Sequence, residues 1–479
     1  MKAGIIQDPK VQKYLPYLGA LAIFMQALDG TILNTGLPSI AKSLGESPLE
    51  MQSIIVSYTL TVALLIPLSG WLADRFGTKR IFILAVALFT LGSLFCALSN
   101  TLNELILARI FQAIGGSMMV PVARLTLLYA YPKDQLLKII NFITIPALIG
   151  PMLGPTAGGF LVEKLSWHWI FLINLPVGII AIILARSIIP NFTNKVERFD
   201  VIGWIFFSGG LTLLTLVIER WNSPTLSVLQ LAGLLILAIL LIVAYIAYAK
   251  RSSHPLIKLD LFKIKTLNIG LIGNLVTRFG IGGMPLMIPL LLQLGFGYSA
   301  FYAGLMMIPQ ALSNLISRNF VIPIVKRYGY KKTLVFNTIA TGILISLFFF
   351  VDQNTPFFII ILLMVCNGAF NAVQFTSMNT ISLADLDNST SSDGNSLLSV
   401  TQQLAISLGI SISAMFLQLF RDSSIDTPDH PTAVFNYTFL VMGILTILSS
   451  AVFMKLNKND GASLSGTQDY NSNKKPQAE

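Results

Sequence analysis

Of the 22 acidic residues in this chain, only Asp29 falls inside an apolar stretch long enough to cross a bilayer; the others sit in loops, at segment ends or in polar tails. A carboxylate in hydrocarbon is costly by several kcal/mol and is kept there for function. It can also take up and release a proton. Arg109 lies at a comparable depth in another such stretch, and Gln26 precedes Asp29 by three residues, on the same face of a helix. Desolvation favours a neutral acid, whereas a nearby guanidinium favours a charged one. A conformational change that alters the Asp29–Arg109 separation would therefore move a proton on or off the carboxyl group. The bland alternative is a permanent bridge that only holds two helices, at a desolvation cost that an apolar pair avoids.

The elements that carry these residues are read from hydrophobicity. Of 479 residues, 54% are hydrophobic and 11% charged, with a mean hydropathy of +0.73. A soluble domain carries about 25% charged residues. A membrane-spanning helix needs about 20 mostly apolar residues. Fourteen stretches qualify: roughly 15–37, 51–73, 81–98, 105–128, 139–162, 169–190, 201–218, 228–249, 267–293, 300–324, 333–351, 356–378, 397–420 and 434–454. They are too long and too uniformly apolar for the alternating strands of a membrane barrel. The fold class expected is an all-α integral membrane protein.

The net charge of +10 would suggest nucleic acid until its placement is read. With the N-terminus in the cytoplasm, 24 of the 32 Lys and Arg residues fall in inside loops and tails. Four fall in outside loops (Lys42, Lys164, Arg220, Arg421) and four within segments (Arg109, Arg124, Arg278, Arg318). This is the positive-inside pattern, with both termini cytoplasmic, and it reports topology rather than a nucleic-acid partner. Arg124 lies near a segment end, where it can snorkel. Trp167 and Trp169 read as interface anchors. Cys96 and Cys366 lie in apolar segments and imply no disulfide framework. The first segment lacks the pattern of a cleaved signal peptide and is expected to remain as a helix.

Residues 1–190 form one six-helix block and 267–455 another, separated by a linker, 191–266, that holds two further helices and a basic loop. The polar tail 456–479 is expected to be disordered. Two blocks that begin and end inside fit parallel repeats related by an axis along the membrane normal. The loop GWLADRFGTKR (70–80) has a faint echo in VIPIVKRYGYKK (321–332), with Gly77 opposite Gly329 and Lys326 in the place of Asp74.

Segment five contains ALIGPMLGPTAGGF, in which Gly150, Gly154 and Gly158 repeat every fourth residue and line one helix face. That face admits another backbone closely, and Pro151 and Pro155 should bend the helix. Polar rows mark the second half: Gln310, Asn314 and Arg318; Asn367, Asn371 and Gln374; Asn274 with Arg278. Such side chains should face the bundle or a wet cavity. With Gln26 and Gln112 they are the candidates for a substrate cavity, helix-to-helix hydrogen bonding being the alternative for any one of them.

Several of these stretches together resemble the major facilitator superfamily. Gly70, Asp74, Arg75, Gly77, Lys79 and Arg80 match its signature loop, in which acid and bases latch one conformation, so the resemblance implies gating residues. The run from Gly150 through Gly159 is similar to the antiporter signature of its drug/proton exporters. LDGTILNTGLP (28–38), LARIFQAIGGSMMVP (107–121) and SWHWIFLINLPVG (166–178) resemble motifs of its fourteen-helix drug/proton antiporter group. The resemblance covers about residues 15 to 455 and implies two six-helix bundles with two extra central helices in the inner membrane. It further implies proton-coupled export of drugs or amphipathic small molecules by alternating access, without a cofactor, by a monomer.

Other chemistry finds no support. No Lys follows a Gly, so the phosphate-binding GxxxxGK loop is absent. The histidines (His168, His254, His430) are far apart and not in metal-ligand spacing. No catalytic grouping suggests a membrane-embedded enzyme. A rival keeps the fold and changes the cargo: Arg278 and Arg318, with no second buried acid, suit an anionic metabolite or an organic-acid metal chelate.

Overall fold

The computed structural model describes residues 8–194, 196, 198–221, 226–387, 390–422 and 431–461, and among these no strand occurs. The helices are α1 (Pro9–Ile32), α2 (Leu37–Leu44), α3 (Gln52–Phe76), α4 (Thr78–Ala97), α5 (Leu102–Ala130), α6 (Lys133–Lys164), α7 (Trp169–Leu172), α8 (Asn174–Ile188) and α9 (Val201–Glu219). They continue as α10 (Val228–Ala249), α11 (Lys265–Ile281), α12 (Met284–Leu290), α13 (Ala300–Met306), α14 (Ile308–Leu347), α15 (Phe357–Leu383), α16 (Ser391–Arg421) and α17 (Ala433–Met454). Local chemistry fixes several starts. Asp8 accepts from the Lys10 amide ahead of Pro9, Thr101 accepts from Glu104, and Ser227 with Gln230 forms a capping box.

Thirteen helical runs among the described residues are long and apolar enough to span a membrane. One of them, Ala300–Phe350, has 51 residues, about 77 Å of helix where about 30 Å suffices. It breaks at Gly329, whose φ of 75° and ψ of 162° lie outside the helical region. Read as two spans, this run covers segments ten and eleven, which is consistent with the fourteen expected. The ninth segment departs from a single helix: α11 ends at Ile281, α12 starts at Met284, and a π turn covers Leu291–Gly295. Gly282 and Gly283 occupy the break, where Gly282 abuts Gly409 of α16 and a Cβ at Gly283 would collide with Ser413.

The chain divides into two compact units, residues 1–202 with 288–308 and residues 203–287 with 309–479. The first is centred on buried Phe82, Phe89, Met119, Leu127 and Phe192. The second holds an apolar cluster around Val321, Tyr330, Leu334, Met378 and Phe453, and another around Leu261, Leu267 and Leu397.

Two expectations change. Leu456, at the start of the expected disordered tail, is buried, and Asp460 pairs with Lys265 at 3.1 Å, so the chain stays packed to Gly461. Residues 462–479, the rest of that tail, lie outside the described residues. Trp167 is 5% exposed and stacked on His168, so it is a core residue; only Trp169 is placed on the surface.

Candidate functional site

Asp29 on α1 and Arg109 on α5 form an ion pair of 2.7 Å, with each side chain 1% exposed. Arg109 Nη1 also donates to Gln112 Oε1 at 2.7 Å, and Nε donates to the Ile54 carbonyl at 3.4 Å. Gln112 Nε2 returns a bond to Asp29 Oδ1 at 2.9 Å and another to Ser93 Oγ at 2.8 Å. Asn174 Nδ2 on α8 adds a third donor to the carboxylate, 3.1 Å from Oδ1. The Tyr58 ring lies 4.2 Å from the guanidinium carbon, a cation–π contact. Both charges are thus compensated: α1, α5 and α8 meet at one carboxylate, and α4 joins through Ser93, which accepts from Gln112 and from Asn174.

Glycines make this convergence possible. A Cβ on Gly92 would collide with the backbone of Gln112, and one on Gly115 with that of Ala85 and Phe89, so α4 and α5 touch backbone to backbone. That brings Ser93 within reach of Gln112. Ser93, Asn174 and Tyr58 were not singled out from the sequence. Asn174 stands in the SWHWIFLINLPVG stretch, the one signal that pointed to it. Gln26 sits at the edge of the cluster, half-buried, and donates to the Gly116 carbonyl at 3.1 Å.

The glycine row of α6 lies against α1 beside Asp29. Gly150 faces Ala27 and Leu28, Gly154 faces Thr31, and Gly158 faces Ile32 and Thr35. Thr35 Oγ1 donates to the Pro155 carbonyl at 2.9 Å. Gly159 points elsewhere, to Ala300 of α13, where Thr156 Oγ1 donates to the Gly304 carbonyl at 3.0 Å. The helix is continuous through Pro146, Pro151 and Pro155.

At the other end of α3, Asp74 accepts from Tyr129 Oη and from Asn194 Nδ2, both at 2.9 Å. Among the described residues these neutral donors, rather than a base, hold it. Gly77 has φ 103°, and a Cβ there would collide with Asn191. Asn191 Oδ1 accepts from the Lys79 amide at 3.2 Å, Thr78 N donates to Phe192 O at 3.0 Å, and Lys79 Nζ reaches the Arg186 carbonyl. Residues 190–194 therefore strap the loop from outside the motif. Arg75 stacks on Trp71 at 4.9 Å, Arg80 is exposed, and Gly70 faces open space.

The polar rows of the second half divide. Gln374 is fully buried between Asn337 and Thr338, with both ends of its amide hydrogen-bonded at 2.8 Å. Gln310 Nε2 donates to Asn367 Oδ1 at 3.3 Å, yet Gln310 Oε1 and Asn367 Nδ2 are buried without partners. Arg318 Nε donates weakly to Asn314 at 3.4 Å, and Asn371 is half-buried. Asn274 Nδ2 bonds back to the Gly270 carbonyl, leaving Oδ1 unpartnered. Arg278 lies one turn on, its guanidinium carbon 4.6 Å from the Phe375 ring and its Nε and Nη2 buried without any hydrogen-bond partner.

Comparison with known proteins agrees with this architecture. The Major Facilitator Superfamily profile matches residues 19–217 and 270–476. The chain is 43% identical to MdtD of Escherichia coli K12 and to MdtD of Shigella boydii, proteins whose name ties them to multidrug resistance. Each alignment runs over 449 residues, 94% of this chain and 95% of the relative. Among solved structures, a D-xylose-proton symporter superposes with a TM-score of 0.66 at 16% identity, covering 94% of this chain and 99% of that one. A variant of the nucleoside transporter NupG gives 0.66 at 15%, covering 92% and 99%. At such identities these two show the fold alone. A multi-pass helical chain with this profile and these relatives is a transporter rather than an enzyme, and it belongs to the Major Facilitator Superfamily.

Proposed function

We propose that this transporter exports drugs or other amphipathic small molecules across the inner membrane by alternating access, driven by a proton gradient and without a cofactor. Asp29 carries the proton and Arg109 is the charge that competes with it. The observation that supports this reading is the sealed Asp29–Arg109 pair with Gln112, Asn174 and Ser93 around it. Protonation of Asp29 removes the attraction that holds Arg109 and leaves a guanidinium without a counter-charge, which low-dielectric surroundings penalise. The pair spans α1 and α5, and its amide partners reach α4 and α8, so one proton biases the packing of four helices. The side-chain-free row of α6 gives α1 a surface on which to shift, and the Gly70–Arg80 loop with its strap gates the passage. Residues 1–190 and 267–455 serve as the two bundles, 191–266 carries the added helices, both termini face the cytoplasm, and the working unit is a monomer.

Purified protein in proteoliposomes tests the coupling, with ethidium as the transported probe and an internal pH dye as the proton readout. Wild type is expected to move protons against ethidium, and Asp29→Asn to lose the exchange while still binding the probe. Undiminished exchange in the variant would overturn the assignment.

A specific observation favours a second reading of the cargo. A half-buried guanidinium with two buried, unbonded nitrogens is expensive unless a ligand completes it, so Arg278 supports an anionic metabolite or an organic-acid chelate. Carboxyfluorescein in place of ethidium, with Arg278→Met as the control, distinguishes the two.

A further inference from the structure

The second unit carries a cavity of about 670 Å³ that none of the polar rows lines, within the size range of ligand sites. It runs between the two halves of α14 and the flank of α15, with Phe320, Ile324, Tyr328, Phe336 and Phe370 as its apolar walls and Lys332 as the one charged residue in its lining. On α15 the groove face, at Phe370 and Val373, is turned by roughly 100° from the row Asn367, Asn371 and Gln374. Amide chemistry and groove therefore occupy different faces of the same helix. Phe336 is 70% and Phe320 58% exposed, so no helix among the described residues of this unit covers them. In a membrane, hydrocarbon must.

The mouth of the groove supplies charge of one sign. Lys326, Arg327, Lys331 and Lys332 fall within seven residues around the Gly329 break, with no acid among them. Among the described residues none of the four is held in an ion pair, and Lys326, Arg327 and Lys332 are exposed. An apolar slot that ends in unpaired cations at a membrane boundary matches an acyl chain joined to a phosphate. We infer that this groove binds an anionic phospholipid of the surrounding leaflet, with an acyl chain between α14 and α15 and the headgroup phosphate on Lys332. The site is independent of the cargo and of proton coupling.

Delipidated protein in detergent is titrated with dioleoyl phosphatidylglycerol or with dioleoyl phosphatidylcholine, and bound lipid is counted by native mass spectrometry. Phosphatidylglycerol should be retained more strongly. Lys332→Gln should cut its binding about fivefold, the effect of one basic residue at a membrane surface, and leave phosphatidylcholine unchanged. Lys326→Gln, outside the groove lining, should cost less. Ala369→Trp, which fills the slot, should lower retention of both lipids. Equal retention of the two lipids, or equal losses from Lys332→Gln and Lys326→Gln, would overturn the inference. So would displacement of the lipid by inorganic phosphate, which would mark a free-anion site, or by ethidium, which would mark a cargo site.

Discussion

Gly158→Ala is the sharpest test of the α1–α6 contact beside Asp29. A methyl group there would collide with the Ile32 carbonyl oxygen and stand 2.8 Å from Thr35 Oγ1. Neither obstacle is the free end of a flexible chain. The carbonyl is backbone, and Thr35 is fully buried with its hydroxyl committed to the Pro155 carbonyl at 2.9 Å. Normal carbon contact requires α1 to retreat by roughly 1 Å, which breaks that hydrogen bond. Overpacking costs about 1–3 kcal/mol and the lost bond about 0.5–1.5 kcal/mol more, for a total of about 1.5–4.5 kcal/mol. With about 2–4 °C per kcal/mol for a unit of this size, the midpoint should fall by about 3–18 °C.

Gly154→Ala supplies the graded comparison. Its methyl would meet Thr31 Oγ1, which can rotate away at the cost of its 3.0 Å bond to the Ala27 carbonyl, while Thr31 Cβ at 2.9 Å and Ile32 N at 3.0 Å need only a few tenths of an ångström of retreat by α1. Its loss should be about 1–2 kcal/mol. Gly30→Ala, with nothing within 4 Å, should be neutral or gain about 0.5–1 kcal/mol from the lower entropy of the unfolded chain. Thermal unfolding in detergent, read by a thiol-reactive dye on the cysteines, ranks the three. A Gly158→Ala protein as stable as wild type, or one less damaged than Gly154→Ala, would refute the reasoning, because it would mean that the backbones are not in contact.

Three further outcomes follow from the same packing. Gly77→Ala should destabilise by about 1–3 kcal/mol through its left-handed φ and the Asn191 collision, whereas Gly70→Ala, facing open space, should leave the unfolding midpoint within error. Asn174→Ala removes one donor from Asp29 and opens a gap beside Ser93, which should cost about 1–3 kcal/mol in the same unfolding assay. Arg278→Met should stabilise ligand-free protein by about 1–3 kcal/mol, read as a raised midpoint, because it removes a half-buried guanidinium whose Nε and Nη2 are buried without hydrogen bonds, and should abolish any anion-dependent stabilisation.

How much of this was legible in the sequence varies with the range of the interaction. Asp29 and Arg109 could be paired because each breaks a long apolar run, and the glycine row because its period is that of one helix face. Partners that depend on how helices rotate and cross were not legible. Ser93 joins the Asp29 network, through Gln112 and Asn174, because Gly92 and Gly115 let α4 and α5 touch, and Asn174 comes to Asp29 from α8. Gln310, Asn367 and Gln374 look equivalent as spaced amides. In the fold Gln374 is fully satisfied by α14, and the other two keep unpaired ends. The strap over Gly77 was hidden for a different reason: Asn191 and Asn194 lie more than a hundred residues away, in a stretch that reads as a polar linker.

Two arginines placed inside apolar helices carry the same side-chain chemistry in opposite circumstances. Arg109 has a carboxylate, an amide, a carbonyl and an aromatic face, so its burial is repaid within the fold. Arg278 has an aromatic face and two nitrogens with nothing to donate to. A closed network of the first kind holds one arrangement. An open one holds a standing penalty that a suitable ligand would remove, and that removal is binding free energy. The same sign should therefore appear in two measurements: removing Arg278 stabilises the empty protein, and anions stabilise wild type but not the variant. If Arg278→Met instead destabilises the empty protein as a packing loss would, the guanidinium is part of the scaffold and the anionic reading of the cargo loses its support.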